Sequence, residues 1–317
     1  MNARLLYNGV SMSTVVVGSR GSGLALCQTR RVVDEVLRLN PGLECRIEVI
    51  KTSGDRFADV PLHTIGDKGL FVKEIELALL RGEVDFAVHS AKDLPSEMDP
   101  ALMIAAYCRR EDASDALVSS AGKLADLPDG ATVGTSSMRR RAQLLASRRD
   151  LNLTDLRGNL DTRLKKVDSG QYDAIVVACA GLRRMGWEDR ITEVLPHEIC
   201  LPAAGQGAVA VQCREGDGVA QMLQQLDHGA TRRCVSAERA LLAGLEAGCR
   251  TPVAALAQES NGELRLDALV ARPDGSQIVR KSGVGDAQSP EELGAQVAEK
   301  LLNSPARRVL DELRTSE

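Results

Sequence analysis

Lys92 and Asp93 place a cation and a carboxylate side by side where an apolar run, residues 84–88, comes to an end. We expect this run to be a buried strand, and α/β proteins bind their ligands at the carboxyl ends of such strands. Pro95 pushes Leu94 away from the helical region, which favours an extended exit that could hold the charged pair over a cleft. The alternative is a solvated ion pair in a loop, which contributes little to stability. On this segment alone, both interpretations stay open.

Two loops rich in glycine and hydroxyl groups, residues 19–23 and 134–137, each lie between a predicted strand and a predicted helix. Free backbone N–H groups and the helix dipole attract anions at such a position. Serine and threonine are also ordinary helix caps, so a purely structural role is the alternative. Three arginines, 139–141, begin the second of these helices, and Arg157 and Arg163 occupy the next strand-to-helix junction.

These arginines belong to a basic stretch, because residues 131–190 hold 12 Lys and Arg against 7 Asp and Glu in a chain of net charge −4. Cations at a helix N-terminus oppose the dipole and cost stability, which suggests a negatively charged ligand. Arginine also binds carboxylates in a bidentate manner. A helix face that is merely solvated is the alternative. Nucleic acid is disfavoured, since only 2% of the residues are aromatic and the chain is acidic. A small polycarboxylate or phosphate fits better.

The elements that must position these residues alternate between strand and helix, as in a parallel α/β sheet. Strands are predicted at residues 14–18, 43–51, 84–88, 131–134, 151–156, 174–178 and 208–213. Helices are predicted at 24–39, 69–80 and 159–167 and from 138 onward, and a short helix is predicted after the strand at 174–178. The strand at 208–213 could return to the first domain, as in type II ligand-binding proteins. After residue 228, a helix (234–245), three strands (253–257, 264–271, 277–280) and a helix pair (291–313) predict a separate α+β domain.

The composition, with 317 residues of which 44% are hydrophobic, fits a folded chain of two or three domains. No apolar run approaches the roughly 18 residues of a membrane span, and the first residues lack the features of a secretory signal. We therefore expect a cytoplasmic protein. The eight cysteines contain no Cys-x-x-Cys pair and are expected to be free thiols. No metal site is expected, because the four histidines form no cluster with the cysteines.

Seven segments stand in order along the chain: SRGSGLA (19–25), GDKGLFVKE (66–74), VHSAKDLP (88–95), VGTSSMRR (133–140), LRGN (156–159), LPAAGQGA (201–208) and GCRTPV (248–253). Together they resemble the porphobilinogen deaminase family, from about residue 14 to the end of the chain. The resemblance implies three domains, with residues 14–108 and 208–226 in the first, 109–207 in the second and 228–317 in the third. The first two are expected to resemble type II periplasmic binding proteins.

The reaction that the resemblance implies is the head-to-tail condensation of four porphobilinogen molecules with loss of ammonia. Hydrolytic release of hydroxymethylbilane, in tetrapyrrole and heme biosynthesis, would follow. A dipyrromethane cofactor would be attached to Cys249 through a thioether. The resemblance also implies a monomer whose partner is this small-molecule substrate, with no nucleic acid and no membrane.

Motif matching assigns the catalytic carboxylate to Asp93, which we expect to be anionic. Positive charge develops on a pyrrole nitrogen as ammonia leaves, so electrostatic stabilisation is its expected role, with proton transfer second. The residues implied for cofactor binding are Cys249, Lys92, Ser137, Arg139, Arg140, Arg157 and Gly158. Those implied for substrate binding are Arg20, Ser22, Lys68, Phe71, Arg163, Arg184 and Gln206. Each pyrrole ring carries an acetate and a propionate, which explains the need for so many cations.

The chain departs from the family pattern at Asp67 and Ala247, where the family often has glycine, and altered loop mobility is the expected effect. The stretch before Thr14 lies outside the resemblance and is expected to be a loose arm. The main alternative function is a non-catalytic, two-lobed protein that binds a small anion. That alternative gives no use for Cys249, or for a carboxylate beside an anion site.

Overall fold

A computed structural model describes residues 6–7, 10–11, 14–56, 72–95, 97–247 and 251–315 of the chain. These residues form two units. Unit 1 takes the described residues within 1–58, 68–110 and 208–232, and unit 2 takes those within 111–207 and 233–317. The chain thus passes into unit 2 after Arg110, returns at Ala208 and leaves unit 1 again after Arg232. The division into three domains stays a prediction, since the C-terminal residues group with 111–207.

The strands are β1 (Leu6–Tyr7), β2 (Val10–Ser11), β3 (Thr14–Ser19), β4 (Glu44–Val49), β5 (Phe86–Ser90), β6 (Leu102–Tyr107), β7 (Asp115–Ser119), β8 (Thr132–Gly134), β9 (Asn152–Thr154), β10 (Ala174–Ala178), β11 (Glu193–Val194), β12 (Val209–Arg214), β13 (Val253–Ser260), β14 (Glu263–Ala271) and β15 (Ile278–Asp286). The helices are α1 (Gly23–Leu39), α2 (Ser53–Arg56), α3 (Lys73–Leu80), α4 (Met138–Ser147), α5 (Leu160–Asp168), α6 (Cys179–Arg184), α7 (Val219–Leu223), α8 (Gly229–Gly244), α9 (Pro290–Leu302) and α10 (Ala306–Thr315). Within the described ranges, no helix has both the length and the apolar character needed to cross a membrane.

Each unit contains a five-stranded sheet, and the two sheets share one strand order. In unit 1 the order is β4-β3-β5-β12-β6, with β3 parallel to β4 and β5 and with β12 antiparallel to β5 and β6. In unit 2 the order is β9-β8-β10-β7-β11, with β8 parallel to β9 and β10 and with β7 antiparallel to β10 and β11. The fourth strand in these orders is β12 in unit 1 and β7 in unit 2, and each is the first strand formed after the chain arrives from the other unit. The predicted return of the chain through 208–213 is confirmed, because Val209 pairs with Ser90.

Helix α1 illustrates how local sequence builds the layers of unit 1. Ser22 caps its N-terminus by accepting a hydrogen bond from the Ala25 N–H at 3.3 Å. Val32, Val33 and Val36 recur at helical spacing and are buried in the same apolar cluster as the residues of β3. The helix therefore covers one face of the sheet and fixes the loop that precedes it.

The C-terminal part of unit 2 is an antiparallel sheet, β13-β14-β15, packed against α9 and α10. Its core includes Leu241 from α8, Leu266 from β14, Val297 from α9 and Val309 from α10. Two five-stranded α/β sheets followed by this α+β part confirm the predicted fold class. Helix α8 begins at Gly229, five residues before the predicted start at residue 234.

Two further differences from the sequence expectations have simple causes. Strands β6 and β7 were not predicted; both are short, largely buried runs, which hydrophobic periodicity alone does not distinguish from a buried helix segment. The stretch before Thr14 is not simply a loose arm, since β1 and β2 pair antiparallel, with Leu6 opposite Ser11.

Candidate active site

The Lys92–Asp93 pair lies in a 3-10 turn, Ala91–Asp93, directly after β5. The Leu94 N–H donates to the Ala91 carbonyl at 3.3 Å and closes the turn. Leu94 then leaves with extended dihedrals, φ −72° and ψ 139°, as its position before proline predicts. The Ala91 N–H donates to the Ala208 carbonyl at 3.0 Å, which ties the turn to the start of β12. The charged pair is thus fixed at the edge where the parallel strands β3 and β5 end.

Asp93 is half-buried, and its carboxylate has no partner in the part of the chain that the structure describes. It accepts no hydrogen bond and forms no ion pair there, with Lys92 or with any other described residue. A carboxylate that is partly shielded from water but not engaged by the fold remains available to a ligand. The interpretation of Lys92 and Asp93 as a solvated ion pair therefore finds no support in the described residues.

The loop after β3 brings Arg20 and Ser22 to the same edge of unit 1. Ser22 uses its hydroxyl as the cap of α1, so the structural alternative describes at least part of its role. Arg20 is half-buried. Burial, with a smaller contribution from the charge of Arg20, lowers the pKa of His89 on β5 to about 4, against the opposing effect of a hydrogen bond with Gln212. His89 is therefore neutral at physiological pH and adds no charge beside Asp93.

In unit 2, two loops follow the carboxyl ends of the parallel strands β8 and β9, and α6 begins directly after β10. The Ser136 hydroxyl donates to the Leu156 carbonyl at 2.8 Å and accepts from the Leu156 N–H at 3.0 Å, which joins the two loops. Gly158 has φ +102°, and a Cβ at this position would lie 2.8 Å from the Thr162 side chain, so the second loop requires glycine. Ser137 caps α4 by accepting from the Arg140 N–H at 3.4 Å. The loops are rigidly tied to each other and to their helices.

Two predicted cations of unit 2 donate hydrogen bonds to backbone carbonyls, Arg163 within the second loop and Arg184 on the segment before β12. Arg163 Nε donates to the Gly158 carbonyl at 2.8 Å. Arg184, which is buried, donates from Nη2 to the Gly207 carbonyl at 2.5 Å. Arg157 is half-buried in the second loop. The structure therefore places all three of these arginines around one edge of the unit 2 sheet.

A buried carboxylate, Asp115, lies between the two adjacent arginines at the start of α4. Its Oδ2 accepts from Arg139 Nη1 at 2.7 Å. Its Oδ1 accepts from Arg140 Nε at 3.0 Å and Nη2 at 2.6 Å, and from Gln206 Nε2 at 2.8 Å. The Cys200 thiol lies 3.2 Å from Oδ2. We name these five residues the Asp115 cluster.

Electrostatics keeps Asp115 ionised. Burial alone raises the pKa of this carboxyl, but the charges and hydrogen bonds of Arg139 and Arg140 outweigh burial and hold the pKa far below its usual range. Sequence reasoning treated the two arginines as cations that await a ligand and missed Asp115. The signal available was an acidic residue at the start of an otherwise apolar run, whereas Asp93 was singled out because it follows the end of such a run. Strand β7 is antiparallel to β10, so its first residue lies at the edge where the parallel strands end.

The remaining predicted residues divide into two groups. Gln206 is almost fully buried, and its amide is used inside the Asp115 cluster and on the Ala113 carbonyl at 2.6 Å. Cys249, Lys68 and Phe71 lie outside the described residues, as does the departure at Asp67.

The cysteines that the structure describes are free thiols. Burial raises the pKa of Cys45 to about 11 and of Cys179, Cys200 and Cys213 to about 12, with nearby carboxylates adding to the effect. A thiol reacts as its thiolate, so these four are poor nucleophiles at neutral pH. No group of three or more potential metal ligands occurs among the described residues.

Comparison with known proteins agrees with this picture. The profile "Porphobilinogen deaminase, dipyromethane cofactor binding domain" matches residues 15–222, and "Porphobilinogen deaminase, C-terminal domain" matches residues 232–303. A porphobilinogen deaminase of Desulforamulus reducens is 48% identical over 305 residues, covering 96% of this chain and 99% of the relative. That of Pelotomaculum thermopropionicum is 51% identical over 305 residues, covering 96% and 98%. That of Geobacillus kaustophilus is 49% identical over 306 residues, covering 96% and 98%.

Among solved structures, a putative methionine-binding lipoprotein of Bacillus subtilis aligns with a TM-score of 0.43 and 14% identity, covering 68% of this chain and 90% of that one. A likeness at this level carries no argument about function.

The fold is that of an α/β protein in which unit 2 presents arginines near its strand ends and unit 1 holds Asp93, whose carboxylate has no partner among the described residues. These features suit an enzyme that acts on anionic substrates. The profile and the near full-length relatives make the assignment specific. The chain belongs to the porphobilinogen deaminase family. The predicted family, transferase activity in tetrapyrrole biosynthesis and dipyrromethane cofactor are thereby confirmed, and the alternative of a non-catalytic binding protein is set aside.

Proposed function

We propose that Asp93 is the catalytic carboxylate with which this chain condenses four porphobilinogen molecules and releases hydroxymethylbilane. The observation that carries the proposal is that Asp93 is half-buried, at the end of a parallel strand, and unengaged by the described residues. The leaving aminomethyl group is a primary amine that is already protonated at neutral pH, so it departs without a proton from the enzyme. Positive charge then builds on the pyrrole nitrogen of the substrate, and an anionic Asp93 stabilises that charge.

Lys92, Arg20 and Ser22 are proposed to bind acetate and propionate groups at the edge of unit 1. In unit 2, Ser137, Arg139, Arg140, Arg157, Gly158, Arg163, Arg184 and Gln206 are proposed to do so, directly or by supporting a neighbour. Guanidinium groups and the backbone N–H groups of helix N-termini are the donors that carboxylates take. Lys68 and Phe71, which are not among the described residues, are also proposed to contact the substrate.

The donor set fits a dipyrromethane, which carries four carboxylates. The Asp115 cluster holds two guanidinium groups against one carboxylate, so it retains a positive charge that an anionic ligand would balance. When bound, the group supplies the pyrrole carbon to which the first substrate is joined. The chain's own contribution is to hold the ring carboxylates at the strand ends and to keep a carboxylate beside the reacting nitrogen.

Cys249 is proposed to carry this cofactor through a thioether. The high pKa values of Cys45, Cys179, Cys200 and Cys213 support this proposal, because they leave fewer thiols able to react. We also propose a cytoplasmic monomer that binds no nucleic acid, consistent with the acidic chain and its low aromatic content.

The test is the intact mass of the purified protein. Wild type should exceed its sequence mass by two linked pyrrole units, and Cys249→Ser should show no excess. Cys45→Ser is the matched control and should keep the full excess, because burial makes this thiol unreactive. An active wild-type protein with no added mass, or a Cys249→Ser protein that keeps it, would contradict the proposed attachment.

A further inference from the structure

The Asp115 cluster distributes its hydrogen bonds unequally between the two arginines. Arg140 uses all three guanidinium nitrogens within the protein: Nε and Nη2 on Asp115, and Nη1 on the Val176 carbonyl at 3.0 Å. Arg139 uses only Nη1, which donates to Asp115 and, at 2.7 Å, to the Leu201 carbonyl. Among the described residues, Nε and Nη2 of Arg139 have no hydrogen-bond partner. One edge of this guanidinium is therefore left for a ligand.

Asp115 itself has no capacity left for a ligand. Oδ1 accepts hydrogen bonds from Arg140 Nε, from Arg140 Nη2 and from Gln206. Oδ2 accepts from Arg139 and from the Cys200 thiol. The side chain is fully buried. An effect of Asp115 on ligand binding must therefore pass through the arginines that it holds.

Charge explains why the arginines need this partner. Arg139 and Arg140 are adjacent, and each is only 6% exposed, so water screens their mutual repulsion poorly. The single carboxylate bonds to both and fixes the planes of the two guanidinium groups. It also cancels only one of two positive charges, so the cluster as a whole still attracts one anion.

We propose that Asp115 is a positioning residue that holds the Nε–Nη2 edge of Arg139 ready for one carboxylate of the tetrapyrrole chain. This inference rests on the proposed function, in which Arg139 binds such a carboxylate. A second carboxylate in place of Arg140 would make the net charge of the cluster negative, and a missing Asp115 would leave two repelling guanidiniums without a fixed orientation. The cluster thus sets both the geometry and the charge of this subsite.

Chemical rescue of Asp115→Ala in the full-length protein tests the proposal. Removal of the carboxylate should reduce the fraction of protein that carries the two-pyrrole mass, and should lower kcat/KM by about a hundredfold, mainly through KM, because misplacement of a binding group by about 1 Å has such an effect. Formate fits the space left by the carboxylate and should restore loading and kcat/KM in part. Formamide, which has a similar size but no charge, should not.

Asp217→Ala is the matched control, because Asp217 is a buried carboxylate 2.6 Å from Arg214 in unit 1, outside the proposed site. This variant should lose stability but keep normal cofactor loading, with no response to formate. If Asp115→Ala does not fold, Asp115→Glu keeps the charge and moves the carboxylate by about one bond length. It should fold and raise KM.

Normal loading and KM in a folded Asp115→Ala protein, or in Asp115→Glu, would overturn the proposal. Rescue by formamide as efficient as by formate would also overturn it, since charge would then be irrelevant. Arg139→Gln separates the two levels of inference. If Arg139→Gln loads and binds normally, the proposed role of Arg139 fails; if it is impaired while Asp115→Ala is normal, only the positioning role of Asp115 fails.

Discussion

Replacement of Asp93 by asparagine isolates the charge of the proposed catalytic carboxylate. Asparagine has nearly the same shape, and the described residues make no hydrogen bond to Asp93 that the change would break. The 3-10 turn is held by backbone hydrogen bonds of Ala91 and Leu94, so it should persist in the variant. The substitution should therefore remove a negative charge from the site without unfolding it.

The magnitude follows from Coulomb's law. Asp93 is half-buried, which suits an effective dielectric constant of about 20, and at about 4 Å from a developing unit charge its carboxylate contributes about 4 kcal/mol. A barrier raised by that amount slows the reaction by about a thousandfold. If the charge in the transition state is only partly developed, the loss should still be at least about tenfold.

The assay measures release of ammonia from porphobilinogen in single-turnover experiments, together with the intact mass of the protein before and after mixing. Asp93→Asn should carry the cofactor and bind substrate but release ammonia slowly. Asp99→Asn is the control, since Asp99 is exposed and lies in the same loop, and it should react at the wild-type rate. Turnover by Asp93→Asn above about a tenth of the wild-type rate, with normal substrate binding, would refute the electrostatic role.

Three further outcomes follow from the geometry. Gly158→Ala should lower the free energy of unfolding by about 1–3 kcal/mol in urea titrations, because φ is +102° there, and an unchanged midpoint would contradict the required conformation. Glu238→Gln should cost a similar amount, about 1–3 kcal/mol, since this buried carboxylate accepts two backbone N–H groups, and exposed Glu263→Gln should cost little. The folded-state pKa of His89, about 4, lies below its unfolded value of about 6.5. The unfolded chain therefore binds more protons between these two pH values, and the free energy of unfolding should fall by about 3 kcal/mol as the pH drops from 6.5 to 4. His89→Gln should flatten that pH dependence, and an equally steep profile in the variant would assign it to another group.

Much of the fold could be predicted because the relevant signals are local. The predicted strand at 174–178 coincides with β10, and the helix predicted from Met138 begins there. Ser22 and Ser137 cap helices where their types and positions indicate. Hydrophobic periodicity did not reveal β6 and β7, because it does not distinguish a short, mostly buried strand from a buried helix segment.

The candidate site was predicted less evenly. The loops rich in glycine and hydroxyl groups and their arginines follow from residue types near strand ends, and the ordered motifs identify the family. Asp115 could not be assigned in this way, because it precedes Arg139 by 24 residues and Gln206 is 91 residues from Asp115. The sequence also did not reveal that Gln206 hydrogen-bonds within the protein or that Ser22 is engaged as the cap of α1 as well as being a candidate ligand-binding residue.

By itself, the sequence determined the strands and helices, the loops at their junctions and the family of the chain, since these depend on periodicity, capping and local motifs. Only the tertiary structure decided which charges meet. The order of the strands brings the start of antiparallel β7 to the carboxyl ends of β8 and β10, and so sets one buried carboxylate between two arginines. It also leaves Asp93 without a partner among the described residues. Both outcomes depend on non-local pairing and burial, which no short segment of the chain encodes.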